Sequence, residues 1–398
     1  MRIVFLLSQS LETPSGLGRY WPVAKELARL GHSVTILALH HNLVECNQRR
    51  FSREGVDVHY VGQMHVRRQG PRKVYFRPGR LLINVLASTL KMAYALLRTD
   101  AQVVQLCKAQ PTNSLAAHLG RRGRPVYCDC DDYEAEINRF GGNWQQAIVR
   151  YFEDGIVRYA RGLTVNTRFT QARYGDLGFP PSRIVYVPNG VERSRFATPF
   201  NAELLRRQWG VGADDPLVVY VGTLGIRTHS IDLLLEAFQR VVQEMPRARL
   251  MLVGGGEDYD EVRELARHLG IAERTVFTGY VPAEDVPGYF SLGTVSVDPI
   301  RDDVVARARS PLKVMESLAV GVPVVTADVG DRRYMMGDGQ PGVIVLPDDS
   351  GALAHGLLTV LQDRHTRARM AEAAVLQGER WYWDQLIGDF VRVYADAR

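Results

Sequence analysis

Short runs of Val, Ile and Leu alternate with helix-patterned stretches from one end of the chain to the other, and this alternation leaves few folds open. It is the signature of doubly wound α/β domains, in which helices cover both faces of a parallel sheet. The first half predicts strands at Ile3–Leu7, Val34–Leu39, Val56–Tyr60, Val103–Leu106, Val126–Cys130, Gly162–Val165 and Ile184–Val187. The second half repeats the plan with Leu217–Val221, Arg249–Val253, Val276–Thr278, Val295–Asp298, Pro323–Ala327 and Val343–Leu346. A hinge is expected within Pro188 to Asp215, where turn residues cluster. Past Gly378 an aromatic helix is expected, carrying Trp381, Tyr382, Trp383, Leu386, Phe390 and Tyr394. In such folds ligands bind outside the carboxyl ends of the strands, which directs attention to the loops that follow them.

The 398 residues provide ample core for two or three domains, and 46% apolar with 23% charged residues is the balance of a soluble globular protein. The apolar run Ile3 to Leu7 is too short for a secretion signal, and no uninterrupted apolar segment reaches ~18 residues, so no membrane span is expected. Cys46, Cys107, Cys128 and Cys130 lack metal or redox spacing and read as reduced thiols of a cytoplasmic protein. Charge is distributed unevenly. Between His59 and Thr99 lie Arg67, Arg68, Arg72, Lys73, Arg77, Arg80, Lys91 and Arg98 without one acid, although the whole chain nets only +5. A basic loop is expected there, feeding an apolar helix over Leu81 to Leu97 whose polar stripe is Asn84, Ser88 and Lys91. Such a segment suits contact with anionic lipid, or is a solvated loop beside a buried helix. No aromatic or Gly-rich recognition motif accompanies the charge, so nucleic acid is not an expected partner.

The stretch Ser310 to Val325, SPLKVMESLAVGVPVV, carries the most chemistry. Ser310 reads as a helix N-cap and Pro311 as the first helical residue. Leu312, Met315, Leu318 and Ala319 form the expected buried stripe, and Gly321 the stop before a buried strand. Lys313 and Glu316, three residues apart, share a face of the first turn, where free N–H groups and a lysine suit a diphosphate. Glu316 could accept hydrogen bonds from ribose hydroxyls; a surface Lys–Glu pair is the plainer alternative.

This stretch resembles the nucleotide-sugar signature of the family 4 retaining glycosyltransferases with the GT-B fold, two Rossmann-like domains facing across a cleft. The resemblance continues through Gly16-Leu17-Gly18-Arg19, Val185-Tyr186-Val187-Pro188-Asn189-Gly190-Val191, and Tyr220-Val221-Gly222-Thr223-Leu224. It extends further through Ile231 to Ala237, Leu252-Val253-Gly254-Gly255-Gly256, and Val276-Phe277-Thr278-Gly279-Tyr280. It implies an acceptor-binding domain over 1–190, a donor-binding domain over 191–378, and a helix over 379–398 crossing back to the first. Carried onto this chain, it places Gly16, Gly18, Thr223, Arg227, His229, Gly255, Tyr280, Arg309, Ser310, Pro311 and Leu312 around the donor. Lys313 and Glu316 then take the diphosphate and ribose. Gly254 to Gly256 could also be only a tight turn.

The chain departs from the family at three places. Thr223 and His229 stand at or near positions usually held by Arg and Lys, with Arg227 close by, and Arg307, Arg309 and Lys313 are the cations left to compensate. Ala308 stands where the first of two glutamates is usual. Asp131 replaces a usual histidine within Asp129-Cys130-Asp131-Asp132, where Asp131 and Asp132 read as sugar or acceptor contacts. A helix cap is the alternative for both, and the D-x-D shape also resembles the metal site of the other large glycosyltransferase fold. The resemblance implies a metal-independent enzyme without cofactor. It would transfer a sugar from a nucleotide-diphosphate donor to a glycan or lipid-linked acceptor, in the cytoplasm or peripherally on the inner membrane face. The alternatives are a non-catalytic binding homologue and a sugar-nucleotide epimerase of the same fold.

Overall fold

The computed structural model describes residues 1–13, 15–69, 72–138, 140–196 and 200–397, with only the backbone of 69, 72, 73, 396 and 397. It divides into two compact units, one of residues 1–189 with 383–398 and one of residues 190–382.

The first unit is built on an eight-stranded sheet. Its strands are β1 (Arg2–Leu7), β2 (Ser33–His40), β3 (Arg50–Arg53), β4 (Val56–Gln63), β7 (Val103–Cys107), β8 (Val126–Cys130), β9 (Gly162–Val165) and β10 (Ile184–Tyr186), with a separate hairpin of β5 (Val66–Gln69) and β6 (Arg72–Tyr75). The order is β10-β9-β8-β7-β1-β2-β4-β3, and every pairing but that of β3 with β4 is parallel. Ile3 to Leu7 of β1 are buried throughout, as expected of a strand covered on both faces. Five helices concern the argument: α1 (Trp21–Arg29), α2 (Pro78–Arg98), α3 (Pro111–Gly120), the single turn α4 (Glu134–Ile137) and α5 (Asn143–Gly155).

The second unit has a six-stranded, wholly parallel sheet of β11 (Leu217–Val221), β12 (Arg249–Val253), β13 (Thr275–Gly279), β14 (Val295–Asp298), β15 (Val324–Ala327) and β16 (Gly342–Val345), in the order β13-β12-β11-β14-β15-β16. Val218 and Tyr220 of β11 enter one core while Leu217, Val219 and Val221 enter the other, so the sheet has an apolar layer on each side. In each sheet the order reverses beside one central strand, at β1/β7 and at β11/β14, and those are the crevices where such folds take ligands.

Three local expectations change. The basic segment is not a loop: Arg67 and Arg68 lie on β5 and Arg72 and Lys73 on β6, paired antiparallel. Its polar residues hide the strand, because no apolar alternation marks it. Helix α2 starts at Pro78 rather than Leu81, and its supposed outward stripe is partly turned inward. Ser88 is buried and donates from Oγ to the Gln63 carbonyl at 2.8 Å, because a close approach to Gly62 of β4 needs a small residue there. The aromatic C-terminal helix is broken at Tyr382, which is extended (φ −76°, ψ 142°). Trp381 still belongs to the second unit, its indole donating to the Met335 carbonyl, while the helix Trp383–Val391 joins the first unit from four residues beyond the expected boundary.

Candidate functional site

At the carboxyl ends of β7 and β8 the first unit gathers a buried charged network. Lys108 follows β7 in a left-handed conformation (φ 72°) that a lysine adopts only at a cost. Its ammonium lies 2.8 Å from Asp132 Oδ2 and 3.2 Å from Asp131 Oδ1, and contacts Glu134 Oε1. Gln110 donates to Glu134 Oε2 at 2.7 Å and accepts from Ser8, just after β1, so the network reaches the sheet's switch point. Burial lifts Asp131 to about 7, with Lys108 opposing and Asp132, Asp129 and Glu134 adding to the rise. Glu134, despite a burial that alone would raise it, is held below the usual range by Lys108 and by hydrogen bonds from Gln110 and Asn138. Three carboxyl groups thus gather around one ammonium, and Asp131 is the one whose ionisation burial opposes most.

The helix-cap reading of Asp131 and Asp132 is overturned. The amides of Glu134 and Ala135 that open α4 donate to the Glu153 carboxylate at 2.9 and 3.1 Å. The metal reading also changes character. Asp131, Asp132 and Glu134 hold oxygens close enough to share a cation, and the cation among them is the chain's own Lys108 ammonium. Nothing in the sequence marked Lys108.

Gly16 and Gly18 lie on one wide helical turn, Gly16–Tyr20. A Cβ at Gly16 would sit 2.6 Å from the Ser10 carbonyl oxygen, so only glycine fits. The amide of Gly16 faces Thr13 Oγ1 at 3.3 Å and the Gly18 carbonyl accepts from the Trp383 indole, so both already have partners. Arg19 is spent inside the fold: it grips Asp129 with two hydrogen bonds of 2.6 and 2.8 Å, and donates to the Val187 and Pro188 carbonyls and to Asn189 Oδ1.

In the second unit the signature helix is Leu312–Ala319, one residue later than expected. Pro311, not Ser310, occupies the cap position and makes no side-chain cap, while Ser310 is buried. The helix is buried around most of its surface rather than along one stripe: Val314, Met315, Glu316, Ser317 and Leu318 are all inside, while Leu312 and Ala319 are only half-buried. Lys313 and Glu316 do not pair with each other. Lys313 Nζ lies 3.0 Å from Asp298 Oδ1 and 5.0 Å from the Tyr220 ring centre. Asp298, at the end of β14, also binds Arg332 Nε at 2.7 Å and accepts from Thr326. Its burial opposes ionisation, but Arg332 and Lys313 overcome that and hold it well below the usual carboxylate range. Asp298 and Arg332 went unrecognised in the sequence, although an Asp closing an apolar strand was the visible signal.

Glu316 Oε1 is 3.5 Å from Arg195, yet burial still lifts this carboxyl to about 7. Arg309 donates to the Thr228 carbonyl at 2.7 Å. His229 does not supply the missing cation. Burial, then Arg309 and Lys313, push its pKa well below the ordinary value, so the imidazole is neutral at physiological pH. Arg307 is likewise removed, since Asp302 holds it with two hydrogen bonds. Arg227 is exposed, and the Thr223 carbonyl accepts from the buried Tyr220 hydroxyl. Lys313, Arg309, Thr228 and His229 therefore cluster beyond the carboxyl ends of β11 and β14, with Arg332 fully buried behind Asp298.

The glycines after β11 and β12 have a packing role of their own. A Cβ at Gly254 would lie 2.1 Å from the Gly222 carbonyl oxygen, and one at Gly256 would lie 2.2 Å from that of Leu224. At Gly255 the obstacle is the Tyr280 ring, 2.6 Å away. Two strand-end loops thus run backbone against backbone beside Lys313.

Sequence comparison agrees with this geometry. Residues 15–190 match the glycosyl transferase 4-like domain and residues 201–377 match the glycosyl transferases group 1 domain. The chain belongs to this glycosyltransferase family and has its GT-B fold. Among its relatives is a GDP-mannose-dependent alpha-(1-6)-phosphatidylinositol monomannoside mannosyltransferase of Mycolicibacterium smegmatis, 30% identical over 56% of this chain and 57% of its own length. The chain thus matches little more than half of that curated relative. Sucrose-phosphate synthase from Thermosynechococcus elongatus has a TM-score of 0.78 at 17% identity, covering 100% of this chain and 99% of its own. HepE of Anabaena, solved with UDP and glucose, has a TM-score of 0.72 at 19% identity and covers 98% of both chains.

Proposed function

We propose that the chain is a retaining glycosyltransferase that moves a sugar from a UDP- or GDP-linked donor to a glycan or lipid-linked acceptor, working in the cytoplasm or at the inner membrane face. The observation that carries this reading is Lys313, fixed by Asp298 at the β11/β14 crevice with Arg309 close by and Glu316 on the same helix. Preorganised cations in a half-buried site are worth most where charge develops, here on the departing diphosphate. The GDP-mannose and UDP named for the two relatives support the donor class. In the resemblance on which the mechanism rests, the donor's own phosphate takes the acceptor proton on the front face of the sugar. The protein then holds the leaving group and positions the acceptor. Asp131 and Asp132, with Lys108, offer acceptor hydroxyls a polar surface in the first unit. Release of nucleotide from a panel of UDP- and GDP-sugars, with the anomeric configuration of the product read by NMR, tests the proposal. Binding without turnover on any donor would favour the non-catalytic reading, which Thr223 and Ala308 motivate. Interconversion of free sugar nucleotides would favour an epimerase.

A pH dependence follows from Glu316. Its raised pKa means that the folded protein holds a proton there which the unfolded chain releases, between about 4.5 and about 7. Its contribution to stability therefore falls as pH rises through that window. The carboxylate is the form that accepts ribose hydroxyls, so nucleotide affinity should rise from pH 6 to pH 8. Glu316→Gln should flatten that rise and leave the melting temperature at pH 8 equal to or above wild type. Calorimetric titration at both pH values decides it, and an undiminished rise in the variant would remove Glu316 from the ribose.

Turnover should also survive exhaustive chelation, since Lys313 and Arg309 neutralise the diphosphate, while of the D-x-D pair Asp129 is held by Arg19 and Asp131 lies beside Lys108. Complete loss restored by manganese or magnesium would assign the acidic cluster to a metal instead.

A further inference from the structure

Helix α2 turns an apolar face to the outside. Leu82, Ile83, Leu86, Leu90 and Tyr94, spaced at one and four residues, are each more than half exposed, while Met92 and Leu96 on the opposite side are fully buried. Its neighbours continue the surface. Helix α3 packs on α2 and α5 packs on α3, and the buried sides of α2 and α3 enter the same core as Ile156 just beyond α5. The outward sides of this layer add Leu119 from α3 and, from α5, Trp144 (64% exposed) and Tyr151 (68%). A monomeric soluble protein rarely leaves so extended an apolar layer uncovered.

We infer that this layer of the first unit is a docking surface for an anionic lipid bilayer, on which α2 lies in the plane of the interface. Charge selects the occupant. Arg77, Arg80, Lys91 and Arg98 are exposed on or beside α2, and none forms an ion pair among the described residues. The region from His59 to Thr99 contains no acid to offset them. A second copy of the chain would bring those cations against their like, whereas anionic headgroups complement them. Trp144, Tyr151 and Tyr94 are the amphipathic rings that sit well at a headgroup boundary. Helix α2 is long and apolar enough to cross a membrane by length and composition. Its buried side, however, is committed to the core of its own unit through Met92, Leu96 and the Ser88 hydrogen bond, so it lies on the bilayer rather than through it.

The inference deepens the proposed lipid-linked acceptor, but its test does not depend on turnover. The full chain is floated with vesicles of neutral phosphatidylcholine or of the same lipid with anionic phosphatidylglycerol, at low and high salt. Binding is expected only with the anionic vesicles and should weaken steeply by 1 M salt, where the Debye length is ~3 Å. Leu86→Ser with Leu90→Ser should lower the bound fraction at least ~10-fold, because exposed apolar area provides the anchoring. Arg80→Ser with Lys91→Ser should weaken binding and flatten its salt dependence. All four positions are exposed, so the far-UV spectrum and melting temperature should stay near wild type. Arg67, Arg68, Arg72 and Lys73 provide a second charge set on the β5–β6 hairpin; Arg67 is already paired with Glu45 at 3.1 Å, and the side chains of Arg72 and Lys73 lie outside those described. Equal recovery with neutral and anionic vesicles, or none with either, overturns the inference. So does a concentration-dependent dimer that the Leu86→Ser/Leu90→Ser variant abolishes, since the face would then belong to a second copy.

Discussion

Lys313→Ala is expected to lower turnover on the true donor at least ~10²-fold while leaving the fold intact. Both halves of that expectation come from Asp298. The carboxylate keeps Arg332 at 2.7 Å and Thr326 at 3.2 Å when the lysine is gone, so no buried charge is orphaned. What is lost is the ammonium held at the crevice, and a charge-assisted contact to a leaving diphosphate is worth more in the transition state than in the ground state. The effect should fall on kcat more than on nucleotide affinity. Steady-state kinetics beside a melting curve would show it, and wild-type turnover in a well-folded variant would sink the role of Lys313.

Arg19→Met is expected to act on stability with similar force. Arg19 and Asp129 are almost wholly buried, and the guanidinium also satisfies two backbone carbonyls and Asn189. Removing one partner of such a pair leaves an uncompensated carboxylate and costs about 3–5 kcal/mol. For a unit of this size that is about 10 °C in melting temperature. Replacing Asp129 by leucine in the same molecule should recover part of the loss, because the orphaned charge disappears with it. Differential scanning calorimetry of wild type, single and double variants measures it, and a shift of under ~2 °C for Arg19→Met would show that the pair contributes little.

Much of the architecture was legible because parallel strands covered on both faces must be apolar along their length. Val126–Cys130, Gly162–Val165, Leu217–Val221, Arg249–Val253 and Val295–Asp298 occur with the predicted bounds. The β5–β6 hairpin was not legible, since Arg67-Arg68 and Arg72-Lys73 carry no apolar alternation. The outward face of α2 was misread for a related reason. Composition shows that a helix is apolar, but not which side the small residues Ser88 and Ala93 will claim. In the second unit the motif led to Lys313 and Glu316, three residues apart in sequence. The residues that fix them, Asp298, Arg332 and Arg195, come from a strand and two short helices elsewhere in the sequence. Lys108 was beyond reach on the same grounds: its three carboxylates begin 23 residues later, and only the pairing of β7 with β8 brings them close.

The second unit is an insertion in the first, and its two ends meet. Val191 donates to the Trp381 carbonyl at 2.8 Å and bridges to Tyr382, so the unit enters and leaves at one place. In the first unit Arg19 closes the corresponding gap, bonding Val187 to Asn189 on one side and stacking 5.6 Å from Trp383 on the other. Each half is thus a closed circuit of chain with its splice point already sutured. A gene encoding residues 190–382 alone would start and stop at neighbouring atoms. That adjacency of its ends makes residues 190–382 the natural segment to express as one cassette.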